Sequence, residues 1–263
     1  MEWIFRLPLG WLFAGVMAVF VGGTLAGMVL LEPARRQMTE RFSRSSDQAA
    51  YFGTQIWLVY SLILSLVAVG AWSDYQAAGE KVSREVSTVE VLQRKAAVYP
   101  EPMRTEMDGL IRAYARSVAE EEWPQQRQGR PPGAARSQFQ RLVTVLGDFE
   151  PRNLPDQMVH AETLRELTSA SEARRARIHA TTSSLPVVVW VVVLFGAVLA
   201  LGGATFFVQV DDRAMHMTLV AIMAAFVGLV VFVTIALDHP FQGYVTPSEE
   251  PFRAIAAQPF GAT

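Results

Sequence analysis

Thr54, Ser61 and Ser65 lie seven and then four residues apart inside an otherwise apolar run, so a helix through them stacks three hydroxyls on one stripe. Gln55, Trp57 and Tyr60 occupy adjoining positions. Hydroxyls at membrane depth can face water and replace part of an ion's hydration shell. They can equally bond back to their own helix or across to a neighbour. The residues leave two readings open: a pore lined by Thr54, Trp57, Tyr60, Ser61 and Ser65, with Trp57 or Tyr60 narrowing it, or an ordinary helix-packing face.

Two further groups carry polar chemistry. Arg174, Arg175 and Arg177 close a helical stretch just before the third apolar run. There they suit anionic headgroups and the negative end of their own helix, or, as a ring at the mouth of an oligomeric pore, they would concentrate anions. After the fourth run come Asp238, His239, Pro240, Phe241, Gln242 and Gly243. Pro240 cannot continue a helix and pushes His239 towards extended geometry, so Asp238, Pro240, Phe241 and Gly243 read as a turn at the bilayer edge, with ligand or ion contact as the alternative.

Catalytic chemistry is missing. No phosphate-binding glycine loop, dinucleotide fingerprint, nucleophile elbow or zinc-protease motif occurs. His160, His179, His216 and His239 are scattered. Asp211, Asp212 and His216 form a short loop group that could hold a cation, but hydrated surface charges are the simpler reading. Glu120, Glu121 and Glu122 read as a solvated face. Without cysteine, thiolate metal sites, disulfides and thiol catalysis are excluded. No enzyme, metal or cofactor is expected. A net charge of -2 leaves no basic excess for nucleic acid.

The elements that must position these groups follow from hydropathy. Half of the 263 residues are hydrophobic, yet a charged block sits mid-chain, the pattern of a multi-pass membrane protein with a soluble insert. Apolar runs at about Pro8–Leu31, Phe52–Trp72, Pro186–Val208 and Met217–Leu237 are each long enough to span and contain no Asp, Glu, Lys, Arg or His. A proton relay within the bilayer is therefore not expected. The first run is too long for a signal-peptide core and reads as an anchor. Small residues recur every four positions at Ala14, Ala18, Gly22 and Ala26, at Gly23 and Gly27, at Gly196, Ala200 and Ala204, and at Ala224 and Gly228. This is either a close-packing device or ordinary membrane-helix composition.

The second run continues without a proline into a charged helical pattern ending near Ala97. Val82, Val86, Val89, Leu92 and Ala96 form its apolar face, and Lys81, Arg84, Glu85, Glu90 and Arg94 occupy the others. One rod is therefore expected to join bilayer and soluble insert. Further helices are expected at about Glu101–Glu122, stopped by Trp123 and Pro124, at about Ala134–Leu146, and from an N-cap at Asp156 to about His179. A last short helix is expected after an N-cap at Ser248, with Pro251 in its first turn. The organisation is all-α: residues 1–72 hold spans one and two, 73–185 the helical insert continuous with span two, 186–237 spans three and four, and 238–263 a tail.

Ala71 to Tyr75 leaving span two, Val82 to Glu85 on the rod, Arg112 to Tyr114 leading to Glu122, Trp123 and Pro124, the Arg174 and Arg175 helix end, and Leu237 to Gly243 with the Thr246 to Ala254 tail resemble the bestrophin-like bacterial membrane proteins. That resemblance implies a homo-oligomeric channel for small anions, with span two around a central pore and the insert in the cytoplasm of a bacterial inner membrane. Its partners would be lipid, small inorganic ions and further copies of the chain. No acidic cluster follows span four, so calcium gating is not implied. Two rival classes remain: a scaffold or sensor whose insert binds a partner, and a cation channel if Asp211, Asp212 or Asp238 faced the path.

Overall fold

The computed structural model describes residues 8–33, 37, 46–207, 212–243 and 245–258, with residues 46–50 and 207 described by backbone alone. Every regular element among them is helical. The chain is an all-α membrane protein. Helix α1 covers Leu9–Leu30, with a wide π turn at Ala18–Gly22; α2 covers Ser46–Ala96. α3 begins as Met103–Ser117, passes through a second π turn at Val118–Glu122 and continues as Trp123–Arg127. Then follow α4 (Arg136–Gly147), α5 (Leu154–Ala180), α6 (Val187–Phe207), α7 (Arg213–Asp238) and α8 (Glu250–Ala257). Among the described residues, four helices are long and apolar enough to cross a membrane: α1, α2, α6 and α7.

The 51 residues of α2 form one helix, about 77 Å long at 1.5 Å per residue. Hydrocarbon takes up ~30 Å of it, and the rest stands clear of the bilayer. Two cores share this helix. In the membrane half, Tyr60 and Leu64 pack with Val193, Ala197 and Ala200 of α6 and Val227 and Val231 of α7. In the soluble half, the inward face from Ala78 to Ala96 packs with α3, α4 and α5, and Phe241, Phe252 and Ile255 of the tail join that same core.

Several boundaries differ from the sequence reading, each for a local reason. Trp123 and Pro124 do not stop α3, which runs on to Arg127. The proline's missing N–H falls just after a π turn that has already displaced the hydrogen-bond ladder. The N-cap of α5 is Asn153, whose Oδ1 accepts the Asp156 N–H at 2.8 Å, so Asp156 is the capped residue and Pro155 fits within the first turn. The N-cap of α8 is Glu249 rather than Ser248, which stands two residues before the first helical residue with its Oγ accepting the Glu250 N–H at 3.2 Å. Val208 and Asp211 lie outside the described residues.

The small residues divide by use. A Cβ on Gly196 would stand 2.7 Å from Cδ2 of Tyr60, and one on Gly228 would meet Phe20 Cβ at 3.2 Å and Met17 at 3.3 Å. These two glycines let α2 and α1 approach α6 and α7. A Cβ on Gly22, Gly23 or Gly27 would meet nothing within 4 Å among the described residues, so no close approach there requires glycine.

Candidate functional site

The membrane half of α2 presents opposite faces to opposite environments. Tyr60 points inward: it is buried, and its hydroxyl donates to the Val193 carbonyl of α6 at 3.2 Å. Trp57 is half-buried beside it, with ring centroids 6.2 Å apart. Thr54, Ser61 and Ser65 are exposed. Ser61 Oγ donates to the carbonyl of Leu58 at 2.9 Å, which satisfies its proton and leaves its oxygen lone pairs facing outward. Ser61 and Ser65 line a groove of about 430 Å3 between α2 and α7, closed on the far side by Phe226, Val227 and Val230 and bounded along α2 by Trp57 and Trp72. The expected constriction is therefore revised. Tyr60 fills the gap opposite Gly196, where a ring fits because no side chain competes, whereas Trp57 stays at the groove edge.

The arginine trio separates on folding. Arg177 is fully enclosed: its Nε lies 2.5 Å from Glu85 Oε2 and its Nη2 2.8 Å from Glu122 Oε2. Its guanidinium also stands 5.7 Å from the Trp123 ring centre and 5.8 Å from that of Phe252, both cation–π distances. Arg174 gives Nη2 to Glu122 Oε1 at 2.7 Å and Nη1 to the Tyr114 hydroxyl at 3.0 Å. The Tyr114 hydroxyl in turn donates to Glu85, and the Ala135 N–H donates to Glu122 at 3.0 Å. Two guanidiniums thus balance two carboxylates inside the soluble core. Only Arg175 keeps an exposed side chain, bonded to Ser171. The expected mouth of three free positive charges is replaced by an internal network, because Arg174 and Arg177 sit on the inward face of α5 with Ala170, Ala173 and Ala180.

The same network corrects two assignments made for acidic residues. Glu85 lies on the inward face of α2, between Val82 and Val89, and is fully buried. Of the glutamate run, Glu120 and Glu121 are exposed but Glu122 is buried. Glu122 ends a π turn that widens the helix, an adjustment of the kind often found at functional positions, and faces Arg174 and Arg177. Burial works to raise the Glu122 carboxyl, but the Arg177 charge and the bonds from Arg174 outweigh it and hold it below its ordinary range. Burial, followed by the charge of Glu85, pushes the Tyr114 hydroxyl well above the ordinary tyrosine range. Sequence reasoning missed this site. The available signal was a glutamate three residues after one apolar-face valine and four before another.

A family model described as Bestrophin-like domain matches residues 18–252. The chain belongs to the bestrophin-like family. Among solved structures, the crystal structure of a variant of a bacterial bestrophin homolog from Klebsiella pneumoniae superposes with a TM-score of 0.66 at 10% sequence identity, covering 94% of this chain and 99% of that one. Curated proteins offer no match. The fold is therefore shared with that homolog across nearly the full length of both chains.

In this bestrophin-like protein the turn after α7 is a joint between membrane and soluble parts. Asp238 Oδ1 accepts the Leu185 N–H at 2.6 Å, just before α6 begins, and its Oδ2 lies 3.1 Å from His239 Nδ1. Phe241 is buried edge-on to Trp123, with centroids 5.9 Å apart. Gly243 adopts a φ of 77°, which favours glycine, and its N–H donates to the Arg127 carbonyl at 3.4 Å. Asp212 Oδ1 caps α7 by accepting the Ala214 N–H at 2.8 Å, and His216 is buried with Nε2 3.4 Å from the Ala204 carbonyl. No group of three metal-ligating side chains occurs among the described residues.

Proposed function

We propose that this bestrophin-like protein is an oligomeric ion channel of a bacterial inner membrane, conducting small anions along an axis surrounded by the α2 helices, with the soluble body in the cytoplasm. The observation that carries the reading is the exposed hydroxyl face of α2. Thr54, Ser61 and Ser65 stand on the one helix that belongs to both cores, yet on the side that neither core covers. A hydroxyl that has bonded to its own helix, as Ser61 has to Leu58, still offers its oxygen to water or an ion, whereas hydrocarbon makes no use of it. Trp57 is the ring placed to narrow such a path. With Arg174 and Arg177 neutralised internally, the remaining positive contribution of that helix end is Arg175.

A cation path is the second reading. The Ser61 proton is already given to Leu58, so its oxygen is set to accept rather than donate. An anion would require that hydroxyl to rotate away from the carbonyl. Reversal potentials in asymmetric chloride and potassium gradients separate the two. The experiment is reconstitution into liposomes with chloride and potassium flux recorded across voltage, pH and calcium. Wild-type protein is expected to conduct, and Ser61→Leu with Ser65→Leu to reduce flux strongly while the size-exclusion profile is unchanged. Absence of flux under every condition overturns the channel reading and leaves the scaffold class, in which the insert binds a partner.

A further inference from the structure

We infer that Glu85 and Arg177 are positioning residues for the pore face: their buried pair sets where α2 stands relative to the soluble body, and thereby where Ser61 and Ser65 stand in the membrane. The conduction arm of the test rests on the channel reading above; the structural arm does not. Ser65 and Glu85 lie on the same helix, 20 positions and so about 30 Å apart along a helix with no proline between them. A displacement at Glu85 is therefore carried to Ser65.

Two other directional contacts hold α2 in the soluble body, Gln93 Nε2 to Asp108 Oδ1 at 3.2 Å and Lys95 to Glu162 at 3.8 Å, but both lie further along the rod and are only partly buried, and the remaining contacts of α2 are apolar. Its inward face there is made of Ala78, Val82, Val86, Val89 and Leu92, and apolar burial is non-directional. Short aliphatic side chains can slide past one another at small cost. The Glu85 carboxylate cannot, because it takes Arg177 Nε at 2.5 Å, Arg177 Nη2 at 3.4 Å and the Tyr114 hydroxyl at once. Charge-assisted bonds of this kind are directional. A slide of one turn would leave a carboxylate buried without its cation. Phe252 of the tail and Trp123 of α3 stand against the Arg177 guanidinium, so three helices besides α5 fix one group.

The network can be cut without leaving net charge behind. Glu85→Leu with Arg177→Met removes one charge of each sign and leaves Arg174 bonded to Glu122. The chain has no cysteine, so spin labels can be placed at Ser87 on α2 and Ser169 on α5, both exposed, with no native thiol to remove. Pulsed dipolar spectroscopy of the purified full chain then reads the α2–α5 separation. With labelled chain diluted into unlabelled chain so that an assembly holds one labelled copy, we expect one narrow distance for the parent and a distribution broadened or shifted by about 2 Å or more in the double variant, the scale of helix sliding. Flux per assembled protein should change by about fivefold or more. Glu85→Gln, which keeps the shape, serves as the second variant and is expected to show the same changes if the double variant is not recovered folded. An unchanged narrow distance in the folded variant overturns the positioning role. A changed distance with a parent protein that passes no ion overturns the channel reading alone.

Discussion

Replacing the three arginines at the end of α5 one at a time separates an enclosed network from a solvated helix end. Arg177→Met keeps much of the apolar bulk but strips Glu85 of its cation, leaving that fully buried carboxylate with only the Tyr114 hydroxyl. Removing one partner of a buried ion pair costs about 3–5 kcal/mol, a large share of the about 5–15 kcal/mol that holds a domain folded. Arg174→Met is milder. It removes two bonds to Glu122 and one to Tyr114, but Glu122 keeps Arg177, so about 1.5–3 kcal/mol is expected. Arg175→Met changes an exposed side chain held by Ser171, within about 0.5 kcal/mol. At about 2–4 °C per kcal/mol, Arg177→Met should lower the melting temperature in detergent by about 6–20 °C, followed by Arg174→Met, with Arg175→Met at the parent value. Thermal unfolding read by tryptophan fluorescence, with size exclusion before and after, measures all three. An Arg175→Met drop equal to that of Arg177→Met, or an Arg177→Met protein that melts with the parent, would refute the enclosed network.

Gly196→Ala places a Cβ 2.7 Å from the Tyr60 ring and displaces the hydroxyl from Val193; a loss of about 1–3 kcal/mol is expected, whereas Gly202→Ala, which meets nothing within 4 Å, should leave detergent stability unchanged. The soluble body should weaken in mild acid. His160 Nδ1 lies 2.9 Å from the Tyr99 hydroxyl, joining the rod end to α5, and burial lowers its pKa from 6.5. Because the folded value is depressed, the unfolded chain binds more protons; the contribution is complete above 6.5 and is lost as pH falls through the folded value. His160→Asn should flatten the melting temperature between pH 7 and pH 5, and an equal acid slope in that variant would count against the latch.

The four spans and the rod were legible because each rests on a single strong signal, apolar length for the spans and an unbroken 3.6-residue pattern for α2. Positions of the hydroxyl stripe followed from the same periodicity. What the stripe faces did not, since Tyr60 turns inward only because Gly196 lies across from it on another helix. Glu122 was hidden by its neighbours: it stands four residues after Val118 and seven after Ala115, on the buried face of α3, but a run of three glutamates reads as solvated. Arg174 and Arg177 look alike with Arg175 in sequence, and only the small residues Ala170, Ala173 and Ala180 on their side of α5 mark the inward face. Capping at Asn153 was missed because Asp156, two residues into the helix, is itself a good cap.

The outward side of α2 divides again by chemistry. Leu58, Leu62 and Leu66 form an exposed apolar ridge beside the hydroxyls, and the groove towards α7, which Val69 helps to line, lies on their other side. A helix surrounded only by lipid needs no hydroxyls between ridge and groove, and a helix facing only water would not carry the ridge. The two strips together fit a helix with different surroundings on adjacent strips: a neighbouring copy or lipid against Leu58, Leu62 and Leu66, and a wetted line along Thr54, Ser61 and Ser65. In the ring proposed above, each copy of α2 would meet a neighbour on its flank and the axis on its front, and the proposal assigns the ridge to the first and the hydroxyls to the second. On that proposal the soluble half would have to hold the front of α2 towards the axis. Its means of doing so is one buried carboxylate on the rod, gripped by a guanidinium from α5 and a hydroxyl from α3.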